Sequence, residues 1–154
     1  MSGMRTSTTQ LPETTTRPAG APLAVTLAVR LLGAGLLFAM GGIHLYLWQT
    51  GYKDIHVIGP AFLANAVLGV LAGVAVLLAP QRWLAWVCLL AGLLELGTLG
   101  ALLLSLTVGL FGFVESWSAP LLTTTIIVEA AGFVLLAGFG AQQLLPTLRL
   151  ERRV

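Results

Sequence analysis

IGPAFLANAVLGVLAGVAVLLAPQRWLAWVCLLAGLLELGTLGALLLSLTV, residues Ile58 to Val108, decides the fold. It holds two apolar runs on either side of Pro80-Gln81-Arg82, and its only charged residues are Arg82 and Glu95. Each run is near the roughly 20 residues that cover a hydrocarbon core of about 30 Å. The break between them carries the proline and arginine that the interior of a membrane helix tolerates least. The stretch reads as a helical hairpin that crosses a membrane twice.

Two further runs flank it. One begins at about Leu31, or already at Leu23, and ends at Trp48; the other extends from about Leu121 to Ala141. The expected transmembrane helices are therefore about 23–48, 58–79, 83–108 and 121–141, within a transmembrane domain of residues 23–145. Gly51, Pro60, the Gly109 to Pro120 segment and Pro146 fall at or beside the breaks, where they disturb a helix least. The fold class is all-α: a polytopic membrane protein built as a four-helix bundle.

Residues 1–22 are rich in Thr, Ser, Pro and Gly and lack a periodic apolar face, so they read as a disordered cytoplasmic tail. They lack the pattern of a cleaved signal, because the long apolar run begins only after Arg30 and closes on the aromatics Tyr46 and Trp48. Residues 146–154 read as a short basic cytoplasmic tail.

Composition agrees with this reading. Of 154 residues, 57% are hydrophobic and 9% charged, against about a quarter charged in soluble domains. The formal charge is +2, with most basic residues near the ends and no basic stripe interleaved with aromatics, which removes support for nucleic-acid binding. The single cysteine, Cys88, lies inside an apolar run and reads as a small core residue rather than a disulfide or metal ligand.

Orientation follows from the basic residues, which are retained on the cytoplasmic side during insertion. Four crossings put both ends and the Pro80 turn on one side. That side holds Arg5, Arg17, Arg30, Arg82, Arg149, Arg152 and Arg153; the other holds only Lys53. Both ends are thus expected in the cytoplasm, with the chain in the cell membrane. Tyr and Trp favour membrane interfaces, and they fit: Trp83 and Trp86 on the inner side, Tyr46, Trp48, Tyr52 and Trp117 on the outer.

Polar groups at membrane depth cost several kcal/mol unless paired or wetted, which makes them the first candidates for function. The four are His44, Asn65, Glu95 and Glu129. At about 1.5 Å per residue from the outer helix ends, they lie roughly 6, 10, 19 and 12 Å deep, respectively. Helical spacing puts Glu95 on a stripe with Cys88, Ala91, Gly92, Thr98 and Ser105, and Glu129 in line with Thr125 and Gly132. Asn65 aligns with Gly69 and Gly73, and His44 follows Gly33 and Gly41. The simplest packing turns all four toward the middle of one bundle. Each also has a purely structural reading, as a neutral acid, amide or imidazole acting as hydrogen-bonded helix glue.

The first outer loop, Gln49 to Val57, carries Tyr52, Lys53, Asp54 and His56 near the mouth of the bundle. A solvated polar loop is the simpler reading. The sharper one makes Lys53, Asp54 and His56 an outer entrance to a histidine and carboxylate path for a proton or a divalent metal. Depth separates its members, and His44 with Glu129 forms the best pair. A dedicated metal site is not expected, and the sequence specifies no cofactor. No G-x-S-x-G, H-E-x-x-H, C-x-x-C or P-loop occurs, and the third and fourth helices hold no histidine for a haem bridging two helices.

Three stretches carry a resemblance: IHLYLWQTGYKDIHVIGPAFLANAV (Ile43 to Val67), ELGTLGALLLSLTVGLFGFVES (Glu95 to Ser116) and APLLTTTIIVEAAG (Ala119 to Gly132). Together they resemble small, uncharacterised four-helix integral membrane proteins of actinobacteria, and in size and helix count the chain looks loosely DoxX-like. The resemblance implies the architecture and carries no activity.

Two functional classes follow. The favoured expectation is a non-catalytic accessory or scaffold component of a membrane complex, whose glycine-rich faces pack against a second copy or a membrane-protein partner within the lipid bilayer. The alternative is a small proton-coupled transport or quinone-linked redox module using Glu95 and Glu129. That role requires at least one carboxyl to be partly ionised near neutral pH, because a permanently neutral acid relays no protons.

Overall fold

In a computed structural model, which describes the backbone of residues 21–151 and the side chains of residues 21–145, the chain is all-helical. Four helices follow one another: α1 (Leu23–Leu47), α2 (Ile58–Leu78), α3 (Gln81–Thr107) and α4 (Leu122–Glu151), with a π-helical turn at Trp48–Tyr52 extending α1. All four are long and apolar enough to cross a membrane. Their outward faces carry large apolar side chains, with Leu23, Leu78 and Val108 at least three-quarters exposed, a surface suited to lipid rather than water. Most of the tail expected over residues 1–22, and residues 152–154 of the basic one, lie outside the described residues.

Prolines set the helix starts. Pro22 and Pro80 stand immediately before α1 and α3, and Pro60 occupies the first turn of α2, positions whose missing N–H removes no intrahelical bond. The α2–α3 connection is consequently only Ala79-Pro80, and Arg82 belongs to the first turn of α3. At the other extreme α4 continues well past Ala141, through Pro146, to Glu151. Hydropathy marks where the apolar face stops, but Ala, Gln and Leu sustain the backbone helix beyond it. The proline there leaves the Gln142 carbonyl without its usual N–H donor.

The helices pack as two hairpins, α1 against α2 and α3 against α4, joined chiefly along α1 and α4, while α2 and α3 meet over a smaller surface. Glycine permits the close approach inside each hairpin. A Cβ on Gly69 would lie 2.8 Å from the Leu37 carbonyl oxygen, and one on Gly92 would lie 2.6 Å from the Ala137 nitrogen. Such backbone proximity supplies close dispersion contacts, the kind of packing that joins helices whose outer surroundings are as apolar as themselves. The small-xxx-small pattern at Gly69 and Gly73 is thus used within the chain.

Two ends can be distinguished. At the Pro80 end, Val29, Leu37, Met40, Val76, Leu84, Cys88, Leu136 and Phe139 form a dry core. The Arg30 guanidinium crosses from α1 to the end of α2, donating to the carbonyls of Val76 (2.8 Å), Leu77 (2.7 Å) and Ala79. A helix leaves its last carbonyls unpaired and its C-terminus partly negative, so one cation satisfies both deficits.

The opposite, two-loop end holds all the described non-glycine residues with positive φ: Val57 (67°), Phe111 (51°) and Leu121 (60°). Left-handed backbone is costly for such side chains, a β-branched valine above all. Phe111 and Gly112 (79°) form the tip of a tight turn closed by reciprocal bonds between Leu110 and Phe113, 2.8 and 2.9 Å. The Glu115 N–H then donates to the Ser105 carbonyl at 2.9 Å, which fastens the loop back onto α3.

Candidate functional site

Between the helices at the two-loop end lies a cavity of about 90 Å³. One water needs on the order of 10–15 Å³ of such space, so there is room for several. All four helices contribute to it: His44 from α1, Phe62 and Asn65 from α2, Thr98, Leu102 and Ser105 from α3, Thr125 and Glu129 from α4. Loop residues Tyr52, Phe113, Glu115 and Pro120 complete its upper part.

His44 sits in the last turn of α1 and is buried. Its Nδ1 lies 2.9 Å from the Met40 carbonyl. A carbonyl only accepts, so Nδ1 carries the hydrogen and Nε2 points onward. Glu129 Oε1 stands 3.8 Å from that Nε2. The separation is an ion-pair distance and too long for a direct hydrogen bond. A bare imidazole nitrogen opposite a carboxylate would bring two acceptors face to face, so a proton on one of them makes the contact favourable.

Glu129 is 1% exposed and Glu95 0%, and none of their four carboxyl oxygens has a hydrogen-bond partner. The Thr98 hydroxyl lies beside Glu129 but gives its hydrogen to its own helix, to the carbonyls of Glu95 (2.9 Å) and Leu94 (3.3 Å). Thr125 likewise donates to Leu121 at 2.9 Å and Ser105 to Leu102 at 2.7 Å. Buried polar groups are normally satisfied, and unpaired ones cost about 1–3 kcal/mol each, which marks both acids for explanation.

Glu95 does not line the cavity. Its carboxyl fills a notch in α4 at Gly132, where an added Cβ would meet the Glu95 Cδ and Oε1 at 2.8 Å. Gly132 lies three residues beyond Glu129 on the same face of α4, so the two acids occupy successive levels of one helix interface. They are within electrostatic reach of each other.

At the mouth, the Tyr52 hydroxyl donates to Glu115 Oε2 at 2.7 Å, and the Ser116 N–H donates to Oε1 at 2.8 Å. The Tyr52 ring stacks on Phe62 at 4.5 Å and meets Phe113 edge-on at 6.0 Å. The π-helical turn carries Tyr52 to this position; such turns recur at functional sites.

Of the residues expected from sequence, His44, Asn65 and Glu129 line one cavity and Glu95 lies next to it, whereas Lys53, Asp54 and His56 are exposed and line no part of it. Sequence reasoning did not single out Glu115, Phe62 or Phe113. Only the first left a usable signal, as an acid in an otherwise uncharged loop. Among the described residues no group of three or more His, Cys, Asp or Glu side chains is placed to hold a metal ion. Comparison with protein-family models, with curated proteins and with solved structures finds no match to this chain.

Proposed function

We propose that this chain is a multi-pass protein of the cell membrane, with both ends cytoplasmic, and that it binds and exchanges protons with the outer side through Glu129 and His44, as part of a small proton-coupled transport module. The seven-to-one distribution of basic residues supports the orientation. One observation carries the chemistry: a fully buried carboxyl with no hydrogen-bond partner stands 3.8 Å from a histidine at the floor of a cavity at the two-loop end. Intramembrane acids placed against a wettable cavity are the usual stations of proton paths. Glu95, one level deeper, would be the next acceptor.

A quinone-linked role is less well supported. Quinone carbonyls need donors, and the cavity offers few: Asn65 supplies an amide, whereas the hydroxyls of Thr98, Ser105 and Thr125 all donate to their own helices.

The test is proton uptake by purified protein in nanodiscs, followed with a pH-indicator dye after a small acid pulse. Wild type should take up about one proton more per chain than Glu129→Gln, since that exchange removes one titratable carboxyl. Equal uptake across mildly acidic to mildly alkaline buffers refutes the reading.

An accessory or scaffold subunit is the second reading. It is favoured by Gly35 and Gly42 on α1 and Gly97 and Gly100 on α3, where a Cβ would meet no described atom within 4 Å beyond its own stretch of helix, which leaves small outward faces for a partner helix. A co-purifying membrane protein of defined mass, lost on Gly35→Leu, would support it.

A further inference from the structure

The cavity is rich in acceptors and poor in donors, and this bias defines what fits it. The hydroxyl hydrogens of Thr98, Ser105 and Thr125 are engaged by backbone carbonyls, that of Tyr52 by Glu115, and the Nδ1 hydrogen of His44 by Met40. What remains on the lining is the Glu129 carboxyl, both oxygens of it unpartnered and covered while the site is closed, with the second ring nitrogen of His44 and hydroxyl lone pairs. On the floor, Asn65 adds one amide group, the exception to this bias.

Charge points the same way. Among the described residues, the titratable groups facing the site are His44 from α1, Glu95 from α3, Glu129 from α4, and Tyr52 and Glu115 at the mouth; α2 contributes none, and no described lysine or arginine lines the cavity. The walls above the floor are aromatic and aliphatic: Tyr52, Phe62, Phe113, Leu47 and Leu102.

We propose that the cavity binds a small primary alkylamine in its ammonium form, with the N–H donors directed to Glu129 and the alkyl part against Phe62, Tyr52 and Phe113. This deepens the proton-exchange reading and rests on it. An ammonium brings three donors and one positive charge to a site that offers acceptors and negative charge, and aromatic faces attract a cation further. The volume sets the scale. An engineered cavity of about 150 Å³ encloses benzene, so one of about 90 Å³ encloses an ammonium head and its first carbons, with the rest of a short chain rising between Tyr52 and Phe113 toward the loops. When the ammonium reaches a protonated Glu129, that proton leaves to water as the carboxylate receives the cation. The charge of the site is then unchanged, and amine and proton compete. Binding therefore strengthens as pH rises for as long as the amine stays protonated.

The experiment is equilibrium binding of radiolabelled n-butylamine to the full chain in nanodiscs, with empty nanodiscs subtracted. Saturable binding is expected, displaced by unlabelled n-butylamine, weakly by tetramethylammonium, which has charge but no N–H, and not by n-butanol, which has the chain but no charge. Glu129→Gln, nearly isosteric, should weaken binding roughly tenfold or more through loss of a charge-assisted hydrogen bond, and Phe62→Ala severalfold. Absence of saturable binding to wild type, equal displacement by n-butanol, or unaltered affinity in Glu129→Gln overturns the proposal. If amine binding fails while Glu129-dependent proton uptake persists, only the ligand class falls. If both fail, the proton-exchange reading falls with it.

Discussion

Toward Pro80 the helices close on Leu37, Met40, Val76, Leu84, Cys88 and Leu136, each at most 1% exposed, whereas toward the loops they part around a cavity floored by His44, Asn65 and Glu129. Both halves draw on the same palette of Leu, Ala, Gly and Val. The first half has its polar groups satisfied where they matter, Arg30 completing the end of α2. The second retains unpartnered carboxyl oxygens, a π-helical turn and three non-glycine residues in left-handed backbone. Strain and unpaired polar atoms persist where the surrounding structure holds them in place, and they gather at working sites. The dry half provides that hold.

If this division is right, truncation should be tolerated unequally. Leu136→Ala, which empties a fully buried position, should destabilise by about 2–4 kcal/mol, while Leu102→Ala, at the cavity wall, should cost under about 1 kcal/mol. SDS titration in mixed micelles would measure both. Similar costs at the two positions would dissolve the distinction.

Gly132→Ala probes the seam between the halves. The new methyl displaces the Glu95 carboxyl, with an expected loss of about 1–3 kcal/mol. Adding Glu95→Ala should recover most of that loss, because the atoms in conflict are then gone. Additive losses in the double variant would mean that the notch is shaped by something other than Glu95.

The apolar runs and their punctuation made four helices legible, because the length and polarity rules for a membrane-crossing helix are not overridden by tertiary detail. The rarity of acids in such helices likewise drew attention to Glu95 and Glu129. What spacing withholds is register between helices. It aligned Gly132 with Glu129 on one face, yet gave no sign that Gly132 accommodates the acid of the neighbouring helix. Loop geometry was more opaque still. Tyr52 and Glu115 are 63 residues apart, and neither belongs to a periodic pattern that would have paired them. Arg30 was read only as a topological charge, since the carbonyls it caps are invisible in a sequence.

That cap gives a smaller test on the dry side. Arg30→Ala leaves three carbonyls at the end of α2 without their donor and should cost about 1–2 kcal/mol, with Arg30→Lys recovering part of it. Unchanged stability would show that water or headgroups replace the guanidinium freely. The smallest expected effect is at the mouth. Tyr52→Phe removes one half-exposed hydrogen bond, worth about 0.5–1 kcal/mol, while keeping the ring against Phe62. Its informative readout is faster exchange of n-butylamine with unchanged equilibrium affinity, as expected of a hydrogen bond that closes the mouth while the ring keeps its contact with the ligand.

Arg30 also bears on how the first hairpin closes. Its side chain emerges with α1, but the carbonyls of Val76, Leu77 and Ala79 are synthesised some 46 to 49 residues later. A single side chain thus ties the start of the first helix to the end of the second, and the hairpin gains these bonds only once both helices are complete.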